Sequence, residues 1–192
     1  MDRDLASIQE ARDALEQAHH AWQTWKSASQ EQVDRVCAAM AAAGEQAAER
    51  LGRRAQEETG FGVAAHKKLK NLFGSRFVWE SIRDLKTVGV IRHDPAHRIY
   101  EIAWPMGVLA ALIPSTNPTS TAFFKSLIAV KARNAIVHSP HPSAVGCTLE
   151  AVRTMAAAAE NAGAPKGLSG CLGTVSLAGT QELMAHKRTA LI

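Results

Sequence analysis

Apolar residues recur every three or four positions from the start of the chain. Leu5, Ile8, Leu15, Ala18, Trp22 and Trp25 fall on one stripe, which predicts a long amphipathic helix. Residues 27–29 break it. Ser29 and Gln32 have capping-box spacing, in which a serine hydroxyl and a side chain three residues on satisfy free amides at a helix start. Val33, Val36, Cys37, Met40, Ala47 and Leu51 continue the period in a second, alanine-rich helix that ends near Thr59 and Gly60. Residues 62–86 predict one or two shorter helices, with Gly74 as punctuation. His66, Lys67, Lys68, Lys70 and Arg76 form the densest basic stretch, and Leu69, Leu72 and Phe73 lie among them at helical spacing. That mixture predicts apolar residues turned inward and a solvated basic face.

From Thr87 the period becomes two. Val88 and Val90 alternate with Gly89 and Ile91; Tyr100, Ile102 and Trp104 alternate with Ile99, Glu101 and Ala103. Between them His93-Asp94-Pro95-Ala96-His97 predicts a hairpin loop of five residues. His93 and His97 flank that loop without a third metal ligand, so solvated surface is expected and metal binding is not. A continuous apolar run at 107–113 predicts a strand, and Ala122, Phe123, Leu127, Ile128 and Val130 a helix. Further strands are expected at 135–138, 172–177 and from 189, with helices at 143–162 and 180–186. Continuous apolar strands that alternate with helices imply a parallel sheet buried on both faces. The fold class is therefore α/β, with three parts: 1–86 helical, 87–104 a hairpin, and 105–192 an incomplete doubly wound sheet.

Of the 192 residues, 46% are hydrophobic and 21% charged, the balance of an ordinary soluble domain. The net charge of +4 demands no acidic partner, and zinc-finger, RNA-recognition and helix-turn-helix motifs are missing, so no nucleic acid is expected. Cys37, Cys147 and Cys171 are too few and too far apart for a disulfide framework or a metal site. Free thiols suit a reducing cytoplasm. Asp2, Arg3, Asp4 and Glu10 interrupt any leader-like apolar run, and the run at 106–113 is too short to span a bilayer, so no membrane partner is expected.

In doubly wound sheets, ligands sit beyond the carboxyl ends of the strands. Two polar, proline-stiffened turns lie there: Pro114-Ser115-Thr116-Asn117-Pro118 and Ser139-Pro140-His141-Pro142. Each precedes a helix start, where free amides and a partial positive charge favour anions. The chain has no glycine-rich dinucleotide fingerprint and no Walker A loop. Read alone, the first turn is equally an ordinary helix start, with Asn117 as cap and Pro118 at the first helical position.

The run from Pro105 through Ile113, Pro114, Ser115, Thr116, Asn117, Pro118, Thr119, Ser120 and Thr121 to Ala122 resembles the start of the Rossmann-type domain of the aldehyde dehydrogenase superfamily. Thr-Asn-Pro-Thr-Ser-Thr at 116–121 and Ser-Pro-His-Pro at 139–142 are similar to its CoA-acylating branch, since hydrolytic members usually carry a tryptophan before the asparagine and a lysine at the place of Ser139. The resemblance implies oxidation of an aldehyde to its acyl-CoA through a cysteine thioester, with NAD or NADP as cofactor and CoA as co-substrate. It also implies a small aldehyde as substrate and a homo-oligomer of the full-length protein, and the thiols and the missing leader keep the expected location cytoplasmic. Asn117 matches the oxyanion-hole asparagine. Ile113, Pro114, Ser115 and Thr116 match the turn against the cofactor, and Ser139, Pro140, His141 and Pro142 the turn near its adenosine end. Residues 1–86 match the helical part of the cofactor domain. Residues 87–104, with an apolar Tyr100, Ile102 and Trp104 face, match the oligomerisation hairpin, and 105–192 match a truncated cofactor-binding part. In the family the nucleophilic cysteine and a glycine-rich nicotinamide loop come later than Ile192, and neither Cys147 nor Cys171 stands in the nucleophile's place. The isolated chain is therefore expected to be inactive. The alternative is a non-catalytic truncated protein that binds nucleotide or partners an oligomer.

Overall fold

The computed structural model describes residues 2–192. Helix α1 (Arg3–Trp25) starts where the Asp2 carboxylate accepts from the Asp4 amide at 3.0 Å, and it buries Ser7, Ala11, Leu15, Ala18, Ala21 and Trp25. This stripe is rotated from the expected one: Leu5 is 60% exposed, and Ile8 and Trp22 are half-buried. The small residues win the inward face because a neighbouring helix comes very close. A Cβ placed on Gly179 would lie 1.9 Å from the Ser7 hydroxyl.

Helix α2 (Gln30–Thr59) opens on the predicted capping box and closes on Gly60, whose φ of 69° supplies the left-handed cap that glycine adopts without strain. Next come α3 (Ala64–Leu72), a π-helical turn (Phe73–Phe77) and α4 (Val78–Ile82), running on without a break. Gly74 is not punctuation here. It lies inside the π turn because a Cβ there would sit 2.5 Å from the Ser120 carbonyl oxygen. For its apolar residues the facing of α3 is also the reverse of the expected one, while His66 and Lys70 are exposed as expected. Lys67, Asn71 and Ser75 are buried, while Leu69, Phe73 and Phe77 are exposed. Polar partners on the neighbouring turn, described below, hold Lys67 and Asn71 inward.

Replacing Gly74 with alanine therefore forces backbone to move, and a loss on the order of 1–3 kcal/mol is expected. Thermal unfolding of the variant beside the parent measures it; an unchanged midpoint would mean that the close approach to Ser120 is wrong.

The hairpin pairs β1 (Gly89–Asp94) with β2 (Ile99–Ala103) antiparallel, with a register shift between Val90 and Arg92. His93 pairs with Tyr100, and their rings stack at 4.1 Å. The loop is thus residues 95–98, one shorter than expected and beginning after Asp94, because Asp94 pairs with Ile99 and accepts from the His97 amide. The Arg133 guanidinium donates to the Ala103 carbonyl at 3.0 Å and to the Lys26 carbonyl at 2.8 Å, which ties the hairpin's base to the end of α1.

The main sheet is parallel, in the order β5-β4-β3-β6: β3 (Val108–Ile113), β4 (Ala135–Pro140), β5 (Ser169–Cys171) and β6 (Thr189–Leu191). Helices α5 (Pro118–Lys131) and α6 (Val145–Asn161) carry the chain from β3 to β4 to β5. Helix α7 (Leu177–Ala185) brings it back to β6 and packs on α1. Right-handed crossovers place α5 and α6 on one face and α7 on the other. Phe123, Leu127, Val137, Met155 and Met40 share the core between α2, α5, α6 and the sheet. The strand expected at 172–177 is instead Ser169–Cys171 plus a loop. Leu172 and Val175 are buried like strand residues, but the Glu10 carboxylate accepts from the Gly173 and Thr174 amides at 2.7 Å each, and Leu177 already begins α7. Strand β4 runs two residues past its expected end, to Pro140, in register with Ile113.

Candidate functional site

Strand β3 ends at Ile113, and the turn that follows delivers Asn117 to the first position before α5. Asn117 holds the cap position yet makes no side-chain cap hydrogen bond, contrary to the ordinary reading of that turn. Its Oδ1 accepts from the Lys70 ammonium at 3.0 Å. Lys67 donates to the Thr116 carbonyl at 2.9 Å, and Thr119 donates through its hydroxyl to the Asn71 Oδ1 at 2.7 Å. The amide nitrogen of Asn71 in turn donates to the Ala48 carbonyl at 2.9 Å, tying this contact to α2. So Lys67, Lys70, Asn71 and Gly74 grip residues 116, 117, 119 and 120. Burial, and then the nearby Lys70 charge, lower the Lys67 ammonium below the usual lysine range. A hollow of about 310 Å³ opens here, lined by Lys70, Phe73, Gly74, Asn117, Ser120, Thr121 and Phe124.

A second cleft, of about 280 Å³, lies at the carboxyl ends of β3 and β4 and the start of α7. Ile113, Ser139, Pro140, His141 and Pro142 line it, joined by Leu112, Val175, Ser176, Leu177 and Thr180. The Ser139 and Thr180 hydroxyls are 2.8 Å apart. The Nδ1 of His141 accepts from the Ser143 amide at 3.2 Å, so its ring caps the short 3-10 turn Pro142–Ala144. Ser176 accepts from the Gly179 amide and caps α7. The walls are mainly apolar, the polar side chains are three hydroxyls and the His141 ring, and no carboxylate lines the cleft. Pro114, Ser115 and Thr116 form the turn between cleft and hollow.

Sequence reasoning had reached one side of each opening. It missed Ser176 and Thr180, though the cap spacing of Ser176 and Gly179 marks a helix start. It also missed Lys70 on α3 and Phe73 at the start of the π turn, which line the hollow through the packing of these elements on the turn at 116–120.

None of the three thiols is a nucleophile at neutral pH. Burial pushes Cys37, Cys147 and Cys171 each up to about 12. The start of α6 could have favoured a Cys147 thiolate. The Glu58 carboxylate takes that place instead, accepting from the Gly146 amide at 2.7 Å and the Cys147 amide at 2.6 Å. A larger groove, about 710 Å³, runs along β5 between α1 and α6 and includes Cys171, Glu10, Arg153 and Lys166. It follows the edge strand β5 along its length, and burial keeps its thiol un-ionised. Among the described residues no three His, Cys, Asp or Glu side chains gather to hold a metal, and no helix is long and apolar enough to cross a membrane. The His97 ring sits 2.9 Å from the Asp94 carboxylate.

A model of the aldehyde dehydrogenase family matches residues 3–192. The crystal structure of an acetylating aldehyde dehydrogenase from Geobacillus thermoglucosidasius superposes with a TM-score of 0.96 at 55% identity, covering 98% of this chain and 42% of that one. The bifunctional aldehyde-alcohol dehydrogenase AdhE of Escherichia coli strain K12 is 39% identical over 188 residues, 98% of this chain and 21% of its own length. A propionaldehyde dehydrogenase of Rhodopseudomonas palustris, crystallised with bound CoA, superposes with a TM-score of 0.77 at 27% identity, covering 93% of this chain and 40% of that one. The chain spans less than half the length of each.

Proposed function

Since the chain belongs to the aldehyde dehydrogenase family, we propose that it forms the cofactor-side part of an enzyme that oxidises an aldehyde to its acyl-CoA with NAD or NADP. The observation that carries this reading is the Asn117 amide. It sits at a helix start without capping it, and its oxygen is held by Lys70, which leaves its nitrogen as a donor beside an open hollow. A donor placed where an oxyanion develops is the largest single lever in acyl-transfer chemistry.

The second cleft fits one end of a dinucleotide. Its volume is below that of a pocket for a whole drug-sized ligand, so only part of the cofactor would be enclosed. Leu112, Pro140, Val175 and Leu177 offer apolar walls to a flat base, and the Ser139 and Thr180 hydroxyls offer partners to a ribose. With no carboxylate in the lining, nothing there repels a 2′-phosphate. When bound, the nicotinamide end supplies the hydride acceptor. The turn of Pro114, Ser115 and Thr116 would direct that end toward Asn117, whose amide would donate to the oxygen of the reacting aldehyde carbon. The thiol would come from outside residues 1–192, since all three of this chain's thiols stay protonated. The exposed Tyr100, Ile102 and Trp104 of the hairpin suit association between copies.

Two measurements test the reading. Isothermal titration of the chain with NAD and with NADP is expected to give binding that weakens when Thr180 is replaced by a bulky leucine. The complete protein, given acetaldehyde and CoA, is expected to reduce the nicotinamide only when CoA is present for turnover. No binding of either nucleotide, together with no protein-dependent reduction, would sink the proposal.

A further inference from the structure

We infer that Lys70 is the positioning residue for Asn117, fixing which end of the amide faces the hollow. This rests on the reading of Asn117 as the oxyanion donor.

An asparagine amide rotates about a broad, two-fold torsion, so a solvated amide exposes its oxygen and its nitrogen almost equally. Only one of these ends can donate to an oxyanion. Lysine carries three donors and no acceptor, so the atom it holds at 3.0 Å can only be the oxygen. Chemistry therefore settles the orientation: the nitrogen is left free. A cation at the carbonyl also draws charge toward the oxygen and makes the two N–H bonds better donors.

Lys70 can do this because its helix is held rigidly against the turn. Three residues earlier Lys67 donates to the Thr116 carbonyl, and on the next position after Lys70 Asn71 accepts from Thr119. Gly74 lies against the backbone of Ser120, and Gly52 lets α3 approach α2, since a Cβ on Gly52 would lie 2.8 Å from the Lys68 amide nitrogen. The reversed facing of α3 and the π turn that follows it have a physical reason in this arrangement. An ordinary amphipathic helix would present Leu69 and Phe73 to the turn, and neither can hold an amide oxygen. Insertions of this π type are frequent at functional sites.

A competing role for the same lysine is to anchor an anionic group on the substrate, and the two roles separate in kinetics. The test compares Lys70→Met, Lys70→Arg, Asn117→Ala and the Lys70→Met/Asn117→Ala double variant in the complete enzyme, with a neutral and an anionic aldehyde. Positioning predicts that Lys70→Met lowers kcat by roughly ten- to a hundredfold for both aldehydes, with KM nearly unchanged. It predicts that Lys70→Arg recovers most of the loss, and that Lys70→Met adds nothing in the Asn117→Ala background, because coupled residues are not additive. In the chain itself, the Asn117 side-chain amide cross-peaks should move toward those of free asparagine in Lys70→Met while core amides stay in place. Stationary cross-peaks, an unchanged kcat, or a rise in KM confined to the anionic aldehyde would each overturn the inference. If Asn117→Ala itself leaves kcat unchanged, the reading of Asn117 fails. If Asn117→Ala lowers kcat and Lys70→Met does not, the inference alone fails.

Discussion

Replacing Asn117 with alanine in the complete enzyme is expected to lower kcat by about 10²–10³, the usual cost of one oxyanion donor, with little change in KM. The donor acts where negative charge develops, so its removal is felt in the transition state and hardly in the ground state. Stability should barely respond. An N-cap asparagine that truly caps a helix costs about 0.5–2 kcal/mol when replaced by alanine, but the Asn117 side chain makes no cap bond and touches only Lys70 through its oxygen. The pairing of a large kinetic loss with a near-constant unfolding midpoint is what separates a catalytic donor from a structural cap. A midpoint that fell by several degrees while kcat stayed within tenfold of the parent would reverse the assignment. Asn117→Asp sharpens the comparison, since a carboxylate would offer an acceptor where a donor is needed and should be at least as damaging.

The parts of the fold that were legible in the sequence are those in which side-chain pattern and burial agree. Parallel strands covered on both faces leave continuous apolar runs, and β3 and β4 read as such because Val108, Ala110, Ile136 and Val137 are all buried. The ends of α2 were legible because its caps are local: Ser29 and Gln32 bond to each other's backbone, and Gly60 takes the left-handed turn. Legibility failed where a helix turns its polar side inward. Lys67 and Asn71 carry no hydrophobic signal, yet they are the inward face of α3, since their partners are carbonyls and side chains 23 to 49 residues away in the chain. It failed again at 172–177, where pairing with β4 stops at the Leu172 amide and the Gly173 and Thr174 amides are satisfied by Glu10 instead, while Leu172 and Val175 stay buried. The candidate site shows the same division. Asn117, Ser139 and Pro140 were visible as strand-end turns. Lys70 and Thr180 reach the openings only through tertiary packing, so no local motif announces them, and the cap spacing of Ser176 marks a helix start but not the cleft it lines.

Stability should also fall as the pH drops below neutrality, through one residue of β4. His138 is completely buried, and burial lowers its imidazolium pKa from 6.5 to about 4, with the Lys125 charge adding to the effect and the bond to Gly170 opposing it. Its Nδ1 lies 2.9 Å from the Gly170 carbonyl, which only accepts, so Nδ1 carries the proton of the neutral ring. Nε2, at 3.3 Å from the Ser126 hydroxyl, is then the acceptor. A second proton would have to enter at Nε2, where a serine hydroxyl already donates and no carboxylate is present to compensate. The folded pKa is below the unfolded one, so the unfolded chain binds the proton first. The contribution is therefore complete above about 6.5 and is lost as the pH falls toward about 4. Between pH 7 and pH 5 this amounts to about 2 kcal/mol, or roughly 4–8 °C in the unfolding midpoint of a chain this size. Carboxylates titrate mostly below that window, and His19, whose pKa is also lowered by burial and by the Arg188 charge, titrates alike in parent and variant, so the comparison isolates His138. Urea unfolding at intervals from pH 7.5 to 5, on the parent and on His138→Asn, reads the slope. Asparagine keeps a donor toward Gly170 but takes up no proton, so its midpoint should decline much less over this range than the parent's. Parallel curves for the two proteins would mean that His138 is not held neutral in the folded sheet.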